Sequence, residues 1–195
     1  MTGGTKRTSR HPARTAQGQL RGSSVFLRPP RPEDTRQLFD WLNEPEVAFP
    51  WDSFGVDSYH VFEEGLHSAS ASEQSLYPRF VIALRSDERP IGVVGYYRAH
   101  PVLEGYDLWY DICEPAERGK GYGKEAVRLL SGYLFANTHV ERLGAVCDVE
   151  NVASYRLLES LGYKREGTLH HALFHHGEWH DAHLYGVSRE AWTRR

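Results

Sequence analysis

Apolar positions along the chain recur at two spacings, every second residue and every third or fourth, and segments of the two kinds succeed one another from residue 24 onward. Ser24–Arg28 reads as a strand. Pro32-Glu33-Asp34 opens a helix through Asn43, with Leu38, Trp41 and Leu42 on its apolar face, and Pro45 ends it. Asp57–His67 reads as a second helix with Val61, Phe62 and Leu66 inward, followed by the polar loop Ser68–Ser75. Phe80–Leu84 and Ile91–Tyr97 are β-branched and aromatic runs about a charged turn, Asp87-Glu88-Arg89-Pro90, and should form a hairpin. Tyr106–Cys113 is a further strand, and Glu125–His139 is a helix whose wide stripe of Ala126, Val127, Leu129, Leu130, Tyr133 and Leu134 suits the face of a sheet. Leu143–Val149 then reads as a strand, and Val152–Leu161 as a helix stopped by Gly162. Thr168–Phe174 and Trp179–Val187 complete the pattern as an antiparallel hairpin about His176-Gly177.

Strand–helix–strand order requires part of the sheet to be parallel. The expected fold is therefore α/β, a mixed, twisted, partly parallel central sheet of about seven strands with helices on both faces. The sequence carries no internal repeat.

Between the strand ending at Cys113 and the helix beginning at Glu125 stands Arg118-Gly119-Lys120-Gly121-Tyr122-Gly123-Lys124. Residues without side-chain bulk let the backbone approach an anion, and the N–H groups of a helix start point at it with the positive end of the dipole. Arg118, Lys120 and Lys124 are expected to add charge around this nest. Spacing separates three kinds of phosphate loop. A nucleoside-triphosphate loop needs Ser or Thr after its Lys, and here Gly121 and Glu125 follow Lys120 and Lys124. The dinucleotide pattern G-x-G-x-x-G starts at Gly119 and Gly121 but meets Lys124 at the third glycine, although Asp148 at the end of the next strand keeps it open. The third pattern, R-x-x-G-x-G, is satisfied by Arg118, Gly121 and Gly123.

With this motif the chain resembles the GNAT N-acetyltransferase superfamily, and the resemblance covers residues 25–190. Asp107-Leu108-Trp109-Tyr110-Asp111-Ile112-Cys113-Glu114-Pro115 is similar to the family's fourth strand entering the loop, and Asn151-Val152-Ala153-Ser154 with Leu161-Gly162-Tyr163 to its later N-x-x-S…LGF element. Phe39-Asp40-Trp41-Leu42-Asn43-Glu44-Pro45-Glu46-Val47 is similar to the first helix and turn of the RimJ/RimL-like branch. The resemblance implies a fourth and fifth strand that splay to admit the cofactor, and direct transfer of an acetyl group from acetyl-CoA, the acyl-donor cosubstrate, to a primary amine: a protein N-terminus, a polyamine or an amine-bearing antibiotic.

It also implies roles for residues. The backbone of Arg118, Gly119, Lys120, Gly121, Tyr122, Gly123 and Lys124 holds the pyrophosphate, strand N–H groups near Ile112 and Cys113 meet the pantetheine arm and the thioester carbonyl, and Asn151 bonds the pantetheine. Asn151 also suits the cap of the helix that follows it. Many relatives protonate the leaving thiolate with a Tyr seven residues after that Asn, where this chain has Leu158. Ser154 is the substitute donor, with cofactor contact as its other role and Tyr155 nearby. Asp107 is the first choice to accept the amine's proton, ahead of Asp111, Asp181 and the histidines of the last hairpin; as a strand end it also suits a salt bridge. Two further readings remain open, a CoA-binding sensor or assembly module without catalysis and a dinucleotide-binding protein.

Composition narrows the partners. The chain has 195 residues and 40% hydrophobic content, enough for a single domain with a substantial core. The net charge of −3 is uneven, because Met1–Gly22 holds five basic residues and no acidic one, leaving 18 basic against 26 acidic, a net −8, in the remainder. Residues 1–22 are expected to be a disordered basic tail and 23–195 one acetyltransferase domain. An acidic body disfavours nucleic acid and favours a cationic acceptor. Cys113 and Cys147 fall within strands as buried thiols, and no apolar run nears the ~20 residues that span a bilayer, so a cytoplasmic enzyme is expected; a homodimer is compatible with the sequence. Six of the 11 histidines lie between His170 and His183. A two-residue turn at His176-Gly177 would set His170 opposite His183 and beside the pair Ala172–Asp181, a ligand or relay cluster, yet without a Cys pair or H-E-x-x-H helix no metal is expected. Phe49, Trp51 and Phe54 are candidates for the wall of an acceptor pocket.

Overall fold

The computed structural model describes residues 19–44, 58–68, 80–98 and 105–194. Strands β1 (Leu20–Arg21), β2 (Val25–Arg28), β3 (Phe80–Leu84), β4 (Pro90–Tyr97), β5 (Tyr106–Asp111), β6 (Arg142–Asp148), β7 (Lys164–His175) and β8 (Glu178–Ser188) form one sheet ordered β1-β2-β3-β4-β5-β6-β8-β7. Every neighbouring pair is antiparallel except β5 and β6. The helices are α1 (Thr35–Leu42), α2 (Tyr59–Ser68), α3 (Tyr122–Asn137), α4 (Val152–Ser160) and α5 (Arg189–Thr193).

Two apolar clusters place helices on both faces. Val127, Leu130 and Leu134 of α3 and Leu158 of α4 pack with Leu27, Ile82, Val94, Leu108 and Leu143 of the strands. On the other face Leu38, Trp41 and Leu42 of α1 and Phe62 and Leu66 of α2 pack with Val81, Val93 and Cys113. Each buried leucine or valine contributes about 1.5–3 kcal/mol, so both helix pairs are held chiefly by their apolar stripes.

The sheet has eight strands rather than about seven, because Leu20 pairs with Leu27 and Arg21 with Phe26. Leu20 is wholly buried, so packed structure begins inside the segment that composition assigned to the basic tail. A single apolar residue among polar neighbours has no period to reveal it. Helix α3 starts at Tyr122, three residues before the expected Glu125, because its polar first turn carries none of the apolar stripe. Pro45, Phe49, Trp51, Phe54, Asp57 and residues 69–75 lie outside the described residues.

Glu125 ties α3 to the β1–β2 turn. Its carboxylate accepts from the Ser23 backbone N–H, from the Ser23 hydroxyl at 2.7 Å and from the Ser24 N–H at 3.1 Å. Glu125→Ala leaves those donors without an acceptor, and the expected cost is about 2 kcal/mol, a fall of roughly 5 °C in Tm, which thermal unfolding followed by circular dichroism checks.

The last hairpin keeps the expected register only near its turn. His176 and Gly177 adopt φ of 54° and 82°, which close the turn, and His175 faces Glu178, Phe174 faces Trp179 and Leu173 faces His180. Between Leu169 and Leu173 the register shifts, with His171 at a φ of 50°. Extra residues on one strand displace all later pairs. His183 therefore faces Thr168, not His170, and the expected pair is not formed; His170 Nδ1 lies 2.8 Å from Asp181 Oδ2 instead.

Candidate active site

The loop before α3 begins as a 3-10 turn, Pro115–Glu117. Gly119 and Gly121 follow with φ of 75° and 85°, a left-handed conformation that costs other residues about 1–2 kcal/mol. A Cβ on either would meet nothing within 4 Å, so conformation and not crowding requires glycine here. Gly121 caps α3, and the Glu125 N–H donates to its carbonyl. The N–H groups of Tyr122, Gly123 and Lys124 precede that bond at the positive end of the helix dipole, the arrangement that receives a phosphate.

Two of the three cations are engaged by neighbouring groups while staying exposed. Arg118 Nε donates to the Ile112 carbonyl at 2.7 Å, with its guanidinium 4.0 Å from the Asp111 carboxylate. Lys120 Nζ lies 2.9 Å from Glu117 Oε2, while Arg89 holds Glu117 Oε1 at 2.7 Å. Lys124 has no ion pair among the described residues and is exposed. What the loop offers an anion is thus mainly its backbone donors.

Strands β5 and β6 pair only at Tyr106–Leu143 and Asp107–Gly144 and then part, leaving a wedge open toward Asp111 and Asp148. Alternation gives the wedge two faces. Tyr110 and Cys147, each three residues beyond the last pair, face α4. There Ser154 bridges the strands: its hydroxyl lies 2.9 Å from the Tyr110 hydroxyl and also bonds the Cys147 thiol. Burial pushes Cys147 up to about 11, with the Ser154 bond opposing, and raises Tyr110 as well. Asn151 caps α4, its side-chain oxygen accepting the Ser154 N–H at 3.0 Å. Leu158, where the family's Tyr is missing, is fully buried in the core.

Asp111 and Asp148, each four residues beyond the last pair, lie on the opposite face. That face is shared with Val93, which pairs with Asp111 and packs under α1 and α2. Burial pushes the Asp111 carboxyl up to about 7, against the pull of the Arg118 guanidinium and of the Ile112 N–H that bonds it. Among the described residues, Asp111 Oδ2 and Trp109 Nε1, two residues apart on this face, are buried without a hydrogen-bond partner. The Ile112 N–H is thus engaged by Asp111, and Cys113 is wholly buried against α1 and α2 with its thiol raised by that burial.

Asp107 lies elsewhere. It occupies the closed end of the wedge, at the last paired position, with its carboxylate over Gly144 and 3.6 Å from Arg142. Burial raises its carboxyl and Arg142 lowers it. Four residues of strand, about 13 Å, separate it from Asp111. The structure brings Asn151, Ser154, Tyr110, Asp111 and the glycine loop to the open end of one wedge, and leaves Asp107 in a salt bridge behind it. Tyr110 was missed by sequence reasoning, since nothing but its strand period marked it.

The acetyltransferase (GNAT) domain model matches residues 24–164. An uncharacterised N-acetyltransferase of Bacillus subtilis, YnaD, is 29% identical over 115 residues, covering 59% of this chain and 66% of its own length. The spermidine N(1)-acetyltransferase of Escherichia coli K12 is 27% identical over 169 residues, 82% of this chain and 83% of that protein. The crystal structure of spermidine N-acetyltransferase from Vibrio cholerae, solved with CoA and spermine, superposes with a TM-score of 0.77 at 20% identity over 88% of this chain and 99% of that one. With the splayed strands, the glycine nest at a helix start and the matched domain on the same residues, the chain belongs to the GNAT acetyltransferase family and is an acetyl-CoA-dependent N-acetyltransferase.

Proposed function

We propose that the acceptor is a small polycationic amine of the polyamine class, that the enzyme works in the cytoplasm within the RimJ/RimL-like branch, and that Asp111, not Asp107, accepts the amine's proton. The observation that carries this reading is the buried Asp111 oxygen without a partner, on a carboxyl poised near neutrality at the open end of the wedge. A general base works best when its pKa lies near the operating pH. The acidic body and the Asp111 carboxyl at the open end of the wedge favour a cation, and the acetylation of spermidine by a relative supports the class.

In this mechanism the pyrophosphate of acetyl-CoA lies on the N–H groups from Gly121 to Lys124 and the pantetheine arm runs past Asn151 into the wedge. The neutral amine attacks the thioester carbonyl from the Asp111 face, forming the C–N bond. Asp111 takes the nitrogen's proton. The C–S bond then breaks on the other face, where the leaving thiolate takes a proton relayed from water through the hydrogen-bonded Tyr110 and Ser154 hydroxyls, while Asp111 releases its proton to water. Spermidine as acceptor, with release of CoA thiol read by a chromogenic disulfide, tests the assignment. Turnover of spermidine well above that of an aminoglycoside or an N-terminal peptide supports it, and the reverse order removes the polyamine reading.

Ser154→Ala is expected to lower turnover about tenfold or more, the low end for a positioned acid because a thiolate of ordinary pKa leaves without much help. Steady-state kinetics together with acetyl-CoA titration checks it. If turnover and affinity both stay at wild-type values, Ser154 neither donates nor touches the cofactor.

A further inference from the structure

The histidine-rich hairpin does assemble a cluster, though not the one its pairing arithmetic suggested. Asp148 at the end of β6 faces His175 of β7 and His180 of β8, and the three donor atoms lie within 4.8 Å of one another. The side chains are 0%, 6% and 19% exposed in that order. His175 Nε2 lies 2.9 Å from Asp148 Oδ2, and His180 Nδ1 lies 3.7 Å from the same oxygen. His175 is oriented from behind, its Nδ1 2.8 Å from His176 Nδ1, and Asp148 by its other oxygen, which accepts the Glu150 N–H at 2.6 Å. His180 Nε2 is buried and has no hydrogen-bond partner among the described residues.

We propose that Asp148, His175 and His180 form a binding site for a divalent transition ion of the zinc class. Two imidazoles and one carboxylate are a donor set suited to that class, and the outer hydrogen bonds of His175 and Asp148 fix ring and carboxylate as such sites require. Bonds of about 2.0–2.2 Å to a tetrahedral ion set neighbouring donors roughly 3.3–3.5 Å apart, between the two distances found. The imidazole rings stack at 3.8 Å with an interplanar angle of 14°, and parallel rings do not aim both lone pairs at one point. Ion entry therefore turns the His180 ring out of the stack, a rotation that breaks no bond at Nε2. The bound ion ties the β7–β8 hairpin to the Asp148–Glu150 turn, which leads directly into Asn151.

The test uses the full chain without a histidine tag, dialysed against chelator, with zinc titrated by calorimetry and cobalt by visible absorption. The expected result is one zinc per chain with micromolar or tighter affinity and a tetrahedral cobalt band. His180→Ala and Asp148→Asn each weaken binding at least tenfold while circular dichroism and acetyl-CoA binding persist, and a His170→Ala/His183→Ala double variant binds as wild type. His180 is partly exposed, so its variant isolates the ion from folding even where Asp148→Asn is unstable. Millimolar binding by the wild type, or binding that survives His180→Ala and is lost in the double variant, overturns the site.

Discussion

Gly121→Glu is expected to weaken acetyl-CoA binding by at least 100-fold, about 2.7 kcal/mol, as measured by calorimetry against the wild type. Three effects act in the same direction. Gly121 sits at a φ of 85°, which an L side chain adopts only with strain, so the start of α3 must move. The new side chain extends into the open space beside the glycine loop, where nothing now stands within 4 Å of the Cβ position. Its carboxylate also lies at the helix N-terminus, competing with the phosphates for the same N–H groups. Gly121→Ala separates these effects, because it keeps the backbone strain without the bulk or the charge, and about tenfold weaker binding is expected of it. With Arg118 and Lys120 turned toward Ile112 and Glu117, few side chains compensate for lost backbone donors. Equal binding by wild type and Gly121→Glu would mean that the pyrophosphate lies elsewhere.

What could be read from the sequence was whatever repeats locally. The stripe of Val127, Leu130 and Leu134, the β-branched runs of β3 and β4, and the glycines before α3 each announce an element within a few residues of itself, and all were found near their expected places. The glycine loop and the helix after it could be read for the same reason, since R-x-x-G-x-G combines with a following helix over a short span. Contacts between distant segments could not. Asp107 and Asp111 have the same chemistry and the same strand face, and only the point at which β5 leaves β6 decides which of them faces the opening. The bulge near His171 likewise follows from no residue preference in the hairpin, yet it separates His170 from His183. Beyond the reach of that bulge, His175 and His180 sit diagonally across the turn and meet Asp148 from another strand. The dinucleotide reading depended on Asp148 as a ribose ligand, but that carboxylate is fully buried against His175.

Asp111→Asn is expected to lower turnover by about 100-fold to 10,000-fold at neutral pH while leaving acetyl-CoA affinity within a few-fold of wild type. The wild-type rate should rise with pH through about 7, as the carboxyl ionises, and the variant should lose that limb. Stability moves the other way. Because burial holds the folded carboxyl near 7 against an ordinary value of 3.8, ionising it disfavours the folded state, and wild-type stability falls as pH rises from about 4 to 7. Asparagine has no charge to desolvate, so the variant should be more stable than wild type above pH 7, by on the order of 2–4 kcal/mol, and no more stable near pH 4. A structural carboxylate would give the opposite pattern, a variant both slower and less stable across the range. Asp107→Asn provides the internal contrast, since breaking its contact with Arg142 should leave the pH–rate limb in place. If Asp107→Asn removes the limb and Asp111→Asn keeps it, the base lies at the closed end of the wedge and the acceptor must approach from there.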